Sequence, residues 1–173
     1  MHDHLEEIIE LYGDYLLRIA YTYVKDQRIA EEMIQDVFLT YYKKQEQFRG
    51  EASLKTYLTK ITVHRCTDYL RSWKNKKELL IGKFHIRGQT KNIERKYIEK
   101  EEKMEVTEAV FSLNVKLREV LLFYYYADHT TKEIAEILSI PESTVKSRLQ
   151  KARTVLKEKL KGVDLEVLLN GNE

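Results

Sequence analysis

The chain has only one cysteine, one proline and six glycines among its 173 residues. A single thiol, Cys66, excludes an intramolecular disulfide and is typical of proteins from a reducing compartment. Proline and glycine end or weaken helices, so their scarcity favours long helical segments. We therefore expect a nearly all-helical protein.

Long apolar runs and the familiar catalytic patterns are also missing. The longest apolar run, residues 120–127, is far too short to span a bilayer. The acidic N-terminal segment lacks the basic and apolar regions of a signal peptide. No glycine-rich phosphate loop, zinc-ligand spacing or pair of catalytic carboxylates occurs, so we expect no enzymatic activity, no cofactor and no metal. Together these absences predict a cytoplasmic protein without membrane insertion.

The net charge of +2 is small, but the charges are unevenly distributed. Residues 1–36 carry nine acidic and three basic side chains, whereas residues 65–83 and 142–161 are basic. The protein is therefore not a general polycation, and any affinity for nucleic acid must come from local patches. An acidic end and two separate basic patches indicate a protein partner and two contacts with nucleic acid.

The strongest motif lies between residues 130 and 161 and predicts two short helices joined by a tight turn, a helix-turn-helix. Thr130 and Glu133 have the spacing of a capping box before an apolar run. Pro141 is tolerated in the first turn of the second helix. Apolar residues recur along that helix at three- and four-residue steps. They are Val145, Leu149, Ala152, Leu156 and Leu160.

The opposite side of this second helix is polar and basic. Between residues 142 and 161, two glutamates oppose seven lysines and arginines. Hydroxyl and cationic side chains on one face suit contacts with base edges and phosphates, although a basic surface helix without a ligand is the alternative interpretation. The candidate DNA contacts are Ser143, Thr144, Lys146, Ser147, Arg148 and Lys151.

Three amphipathic helices are predicted before residue 75, from apolar positions with a period near 3.6. The first ends near Lys25, the second covers about residues 28–44, and the third begins near Ser53. The third helix should face inward with Leu54, Leu58, Ile61, Tyr69 and Trp73. Its opposite face carries a row that suits a phosphate backbone or, alternatively, a solvated surface. The row is Lys60, His64, Thr67, Arg71 and Lys74.

The periodic pattern weakens after residue 75, where Gly82 and Gly88 interrupt a basic segment. Such a segment is typical of a linker. We therefore predict an all-α fold of two small helical domains joined by a flexible linker. The domains would be residues 1–78 and residues 105–173, which hold the helix-turn-helix, with residues 79–104 between them. Asn114 is expected to break or cap a helix in the second domain.

Three segments, in this order, resemble regions of the extracytoplasmic-function (ECF) class of bacterial RNA polymerase sigma factors. Residues 30–38 (AEEMIQDVF) resemble the region that grips the polymerase clamp helices, residues 48–71 resemble the −10 recognition and melting region, and residues 133–153 resemble the −35 reader. The resemblance implies a non-enzymatic initiation factor that binds core RNA polymerase and promoter DNA and assists melting of the −10 element. It also implies an anti-sigma factor as a partner.

The resemblance also assigns roles to residues. It implies that Glu32, Gln35 and Asp36 meet the polymerase. The implied −10 contacts are Phe48, Arg49, Gly50, Lys60 and His64, with Arg71 on the same helix face. The sequence departs from the usual pattern at four positions, with Tyr57 for Trp, His64 for Asn, Asn114 for Pro and Ser139 for Gly.

Two other functions are open at this point. A dimeric helix-turn-helix regulator would leave the acidic motif and the second basic helix unexplained. An all-helical hydrolase or adaptor would need a catalytic or binding constellation that the sequence does not offer.

Overall fold

The computed structural model describes residues 2–47, 52–81 and 101–160 of the chain, and these residues form helices without any strand. The helices are α1 (His2–Val24), α2 (Gln27–Lys44), α3 (Leu54–Ile81), α4 (Glu101–Ser112), α5 (Val115–Leu121), α6 (Thr131–Leu138) and α7 (Glu142–Lys159). A 3₁₀ turn, Gln45–Gln47, follows α2, and a π-helical turn, Leu122–Tyr126, continues α5. The prediction of an all-α fold is confirmed.

Helices α1, α2 and α3 pack against one another and form the first half of the molecule. The chain reverses between α1 and α2 at Asp26, whose carboxylate accepts a hydrogen bond of 3.0 Å from the backbone N–H of Ile29 and so caps α2. Helix α2 buries the stripe expected from its periodicity. The buried residues are Ala30, Met33, Ile34, Val37, Phe38 and Tyr41.

The predicted inward face of α3 is partly wrong. Leu58 is fully buried, but the side chain of Trp73 is 53% exposed. The buried face instead includes Thr59 and Thr62, whose hydroxyls donate to the backbone carbonyls four residues earlier at 2.7 and 2.9 Å. Because these hydroxyls are paired within the helix, threonine can be buried here without an unsatisfied polar group.

Cys66 lies on the same buried face of α3. Its sulfur is 3.5 Å from that of Met33, and burial raises the pKa of the thiol from its ordinary value to about 12. A thiol with so high a pKa is a poor nucleophile at neutral pH. Cys66 therefore acts as a small apolar packing residue.

Helices α4 to α7 form the second half, and its helix starts follow the sequence signals. The side chain of Asn114 accepts a hydrogen bond from the backbone N–H of Leu117 and caps α5, as predicted. Thr130 and Glu133 form both hydrogen bonds of the expected capping box. Pro141 is the N-cap of α7, one position earlier than predicted. The whole predicted apolar stripe of α7, from Val145 to Leu160, is buried.

The two halves are in direct contact, through α1 against α5 and α3 against α6. Helix α3 continues to Ile81 and α4 begins at Glu101, so both predicted domain boundaries fall within helices. The rest of the predicted linker, residues 82–100, lies outside the described residues, and the division into two domains stays a prediction. Nowhere in the described parts of the chain is a helix long and apolar enough to cross a membrane.

The turn of the helix-turn-helix contains a residue under backbone strain. Ser139 ends α6 with φ 53° and ψ 46°, in the left-handed region that favours glycine. We therefore expect Ser139→Gly to raise the free energy of unfolding by about 1 kcal/mol, measured by urea titration.

The matched control is Ser147→Gly, the same change in the middle of α7. Because glycine weakens a regular helix, this variant should be less stable than the parent protein. A loss of stability in both variants would show that the turn does not strain the serine.

Candidate polymerase and nucleic-acid interfaces

The predicted polymerase-binding residues share the exposed face of α2. Glu32, Gln35 and Asp36 are all exposed, while Val37 and Phe38, which follow them directly, are buried. The helical period separates the two sets, because positions that differ by one or two residues point in different directions. The acidic face is therefore presented to solvent on a helix whose back is fixed in the core.

An apolar groove of about 530 Å³ borders this face, between α1 and α2. Ile9 and Leu39 stand at the groove with 41% and 54% of their surfaces exposed, and Gln35 lines it together with Glu31. Exposed apolar surface rimmed by polar side chains is typical of a protein interaction site. The predicted polymerase-binding residues therefore lie at the edge of a surface that combines exposed apolar side chains with a polar rim.

The predicted phosphate-binding row of α3 is exposed along most of its length. His64, Thr67, Arg71 and Lys74 are exposed, and Lys60 is half-buried. Among the described residues, Arg71 forms a long, exposed ion pair with Asp68, at 3.7 Å. Exposed pairs of this kind contribute little to stability, so the guanidinium remains available to another anion. The loop residues Phe48, Arg49 and Gly50 lie outside the described residues.

The start of α7 is fixed against α6 by a polar contact. The hydroxyl of Thr131, at the start of α6, donates to the carboxylate of Glu142 at 2.6 Å, and the ammonium of Lys146 lies 2.9 Å from the same oxygen. The Thr131 hydroxyl and the Lys146 ammonium together lower the pKa of Glu142. The first turn of α7 is thus held in a defined orientation by groups on both helices.

The predicted DNA contacts of α7 differ in their placement. Ser143, Lys146, Ser147 and Lys151 are exposed, and Thr144 is half-buried. The exposed four include two hydroxyls and two ammonium groups at one-turn spacing, which is a suitable arrangement for base edges and phosphates. The structure therefore brings these four together on one accessible face.

Arg148 points in another direction, towards α5. Its guanidinium lies 2.9 Å from a carboxylate oxygen of Glu119, and the two side chains are only 20% and 11% exposed. Burial raises the pKa of Glu119, and hydrogen bonding by Tyr23 and the charge of Arg148 oppose that effect. In this conformation Arg148 connects α7 to α5, and its role as a DNA contact stays a prediction.

Sequence reasoning missed two charged residues of α5, Arg118 and Glu119. Both are buried, at 3% and 9% exposure. A signal was present, because they interrupt an otherwise apolar segment from Leu117 to Phe123. Charged residues are rarely buried without partners, so such an interruption indicates paired groups in the core.

Proteins with this architecture are known. The chain is 29% identical over 154 residues to the ECF RNA polymerase sigma factor SigM of Bacillus subtilis (strain 168), covering 88% of this chain and 93% of the relative. It is 28% identical to SigV of the same organism, covering 86% of each protein. The fold is similar to that of the sigma factor RpoE in its complex with the anti-sigma factor NepR from Bartonella quintana, with a TM-score of 0.76 and 21% identity over 95% of this chain and 100% of that chain.

Two family models match the two halves of the chain in order. Sigma-70 region 2 matches residues 8–76, which contain the polar faces of α2 and α3. Sigma-70 region 4 matches residues 103–156, which contain the helix-turn-helix. A dimeric helix-turn-helix regulator would not account for the first match. The chain belongs to the sigma-70 family of RNA polymerase sigma factors, in its extracytoplasmic-function class.

Proposed function

We propose that three helix faces of this sigma factor each bind a different partner. The acidic face of α2 binds core RNA polymerase, the row on α3 binds the −10 element as it opens, and the exposed face of α7 reads the −35 element. One observation carries this proposal. Each of the three helices buries one face in the core and leaves most of its candidate contact residues exposed.

The assignment of α2 to the polymerase rests on its charge and its surroundings. Glu32 and Asp36 are one helical turn apart, so both carboxylates meet the same partner surface. Two carboxylates repel the phosphates of DNA, which favours a protein partner with basic side chains. The apolar groove beside them provides the desolvated area that a stable protein interface needs.

The assignment of α7 to duplex DNA rests on its polar face. Lys146 and Lys151 supply charge, while Ser143 and Ser147 supply small hydroxyls that fit between a helix and base edges. The contact between Thr131 and Glu142 holds the N-terminal turn that enters a major groove in proteins of this type. This face recognises the −35 element.

The assignment of α3 to the opening strand rests on an exposed row of basic and polar side chains, in which Asp68 lies 3.7 Å from Arg71. Lys60, His64 and Arg71 follow one side of the helix and can follow a strand backbone. Phe48, Arg49 and Gly50 precede this helix in the sequence and are proposed to receive a base that leaves the stack. Binding of the separated strand would then favour the melted state.

The proposal places the protein in the bacterial cytoplasm, where core polymerase acts on DNA, and gives it an anti-sigma factor as a partner. The fold of this chain resembles RpoE in complex with NepR, and also CnrH in complex with the cytosolic domain of CnrY, at a TM-score of 0.64 and 15% identity. These similarities extend over both halves of the chain. An inhibitor that holds the halves together would therefore find them already in contact.

Asp36→Arg is expected to weaken association with core polymerase, because it reverses a charge at the centre of the α2 face. Helical content and urea stability should remain near those of the parent, since Asp36 is exposed. Affinity for fluorescently labelled core polymerase gives the measurement. Glu108→Arg, the same charge reversal at an exposed position of α4, is the control and should bind normally. Equal affinity of both variants would remove α2 from the proposed interface.

Lys146→Ala is expected to lower promoter affinity by about 1 to 3 kcal/mol with lost discrimination at one −35 position, if the side chain reaches a base. Lys157→Ala, an exposed lysine in the last turn of α7, is the control. Titration of matched and mismatched −35 duplexes measures both. A uniform loss on all sequences with a flatter salt dependence would show a phosphate contact instead.

Arg148→Ala should behave differently from Lys146→Ala. It leaves the buried carboxylate of Glu119 without its cation, so the free energy of unfolding should fall by about 1 to 3 kcal/mol. Urea titration of the two variants separates the roles. If Arg148→Ala loses DNA affinity at unchanged stability, its side chain acts on DNA and not within the fold.

Replacing Lys60 and His64 together by alanine should reduce promoter melting more than initial binding. A single strand is available to this face only after base pairs open, so the closed complex should survive. Permanganate reactivity of unpaired thymines measures the melting. A promoter with a pre-opened bubble at the −10 element should restore part of the lost transcription. A proportional loss of closed binding would identify the face as a duplex contact.

A further inference from the structure

The first turn of α7 presents a carboxylate beside a cation, on the surface proposed to contact DNA. The ammonium of Lys146 lies 2.9 Å from Oε1 of Glu142, one helical turn earlier, and the two side chains are 63% and 42% exposed. From residue 142 to 161, Glu142 is one of two glutamates among seven lysines and arginines. A carboxylate in this position lowers the affinity for any DNA sequence, because it repels phosphates.

The carboxylate of Glu142 is held in place from a second helix. The hydroxyl of Thr131 donates to Oε1 of Glu142 at 2.6 Å. Thr131 directly follows Thr130, whose capping box with Glu133 fixes the start of α6. Among the described residues, the contacts from Thr131 and Lys146 both use Oε1, which leaves Oε2 of Glu142 available to accept a hydrogen bond from outside. The acceptor is therefore oriented before any ligand arrives.

The major-groove edge of a G·C base pair carries the complementary pattern. Guanine offers two acceptors, N7 and O6, and cytosine offers the N4 amino donor beside them. O6 and N4 are hydrogen-bonded to each other within the pair, so they lie about 2.9 Å apart. The ammonium of Lys146 and the carboxylate of Glu142 have the same separation. An ammonium at guanine and a carboxylate at cytosine can therefore contact one base pair together.

Other base pairs present these groups in a different order. An A·T pair places the N6 donor of adenine between two acceptors, so the ammonium would meet a donor and the carboxylate would meet O4 of thymine. A reversed pair would place the carboxylate against the acceptors of guanine. A carboxylate that faces an acceptor is repelled, and such repulsion excludes wrong sequences as effectively as attraction selects the right one.

We propose that Glu142 is a specificity-determining residue, which reads a single G·C pair of the −35 element together with Lys146. Glu142 accepts a hydrogen bond from the cytosine amino group and holds the ammonium of Lys146 over guanine. Thr131 is a positioning residue, because it orients the carboxylate before DNA is bound. The inference rests on the proposed function of α7, and it adds the base pair and a carboxylate contact to that function.

Selection of promoters from a library with a randomised −35 region tests the base pair. Core polymerase loaded with the parent protein should retain promoters that carry a G·C pair at one −35 position. Glu142→Gln should reduce the preference at that position by about tenfold and leave the other positions unchanged. It should also bind unselected DNA more tightly, because one negative charge is removed. Glu158→Gln, the same change of charge at an exposed position in the last turn of α7, is the control and should keep the parent preference.

Base analogues in the selected promoter identify the contact atoms. Replacement of the cytosine by 2-pyrimidinone, which lacks the amino group, should weaken binding of the parent about tenfold more than binding of Glu142→Gln. Replacement of the paired guanine by 7-deazaguanine removes N7 and should likewise affect the parent more than Lys146→Ala. Because the proteins are compared on the same duplex, any general loss of duplex stability cancels. Thr131→Val keeps the carboxylate and should reduce the preference at the same position by less than Glu142→Gln does.

Three results would overturn the inference. They are identical base preferences of the parent and Glu142→Gln at every −35 position, a lost preference for an A·T or T·A pair, and equal weakening of both proteins by 2-pyrimidinone. Each would leave the −35 contact of α7 intact and reduce the pair of Glu142 and Lys146 to an ordinary surface ion pair. A parent protein that gives core polymerase no preference in the −35 region would refute the proposed function of α7, and this inference with it.

Discussion

The buried carboxylate of Glu119 is the group on which the arrangement of the molecule depends. A carboxylate that leaves water needs partners for both of its oxygens, and here Tyr23 and Arg148 supply them from two different helices. The requirement ties α1, α5 and α7 together at one point. The neighbouring Arg118 is a buried cation, and its guanidinium donates hydrogen bonds to backbone carbonyls. Two adjacent residues of a short helix therefore set how the halves of this sigma factor meet.

The same packing explains why the functional faces are accessible. Helices α2 and α7 each bury one apolar stripe in the core. Helix α3 buries Thr59 and Thr62 beside Leu58, and both threonine hydroxyls are hydrogen-bonded within the helix. The exposed candidate contact residues are acidic and amide side chains on α2, basic and polar side chains on α3, and hydroxyl and basic side chains on α7. The opposite charges suit different partners, because carboxylates repel phosphates that lysines attract. A single polypeptide can thus contact a protein and DNA without the two surfaces competing.

Local features of the fold were predictable from the sequence, and features that depend on distant residues were not. The capping box at Thr130, the cap at Asn114 and the stripe of α7 depend on neighbours within a few residues, and each was found where the pattern indicated. The buried face of α3 was predicted only in part. A threonine can be buried when its hydroxyl donates a hydrogen bond to a backbone carbonyl of the same helix, as that of Thr62 does, and Trp73 lies beyond the core. Arg148 has a cationic sequence context typical of a DNA contact, but its partner is 29 residues away in the chain. The contact between the halves joins residues 96 positions apart in the sequence, and no periodicity reveals such a pairing.

The central claim is that this chain gives core RNA polymerase a promoter specificity that the polymerase lacks alone. The direct measurement is sequencing of the transcript starts that purified core polymerase makes on a library of random upstream sequences, with and without the protein. The account predicts that the protein produces defined starts, each preceded by a common −35 and −10 pair at fixed spacing. Starts that are unchanged by the protein, in a preparation that binds a palindromic DNA site as a dimer, would contradict it.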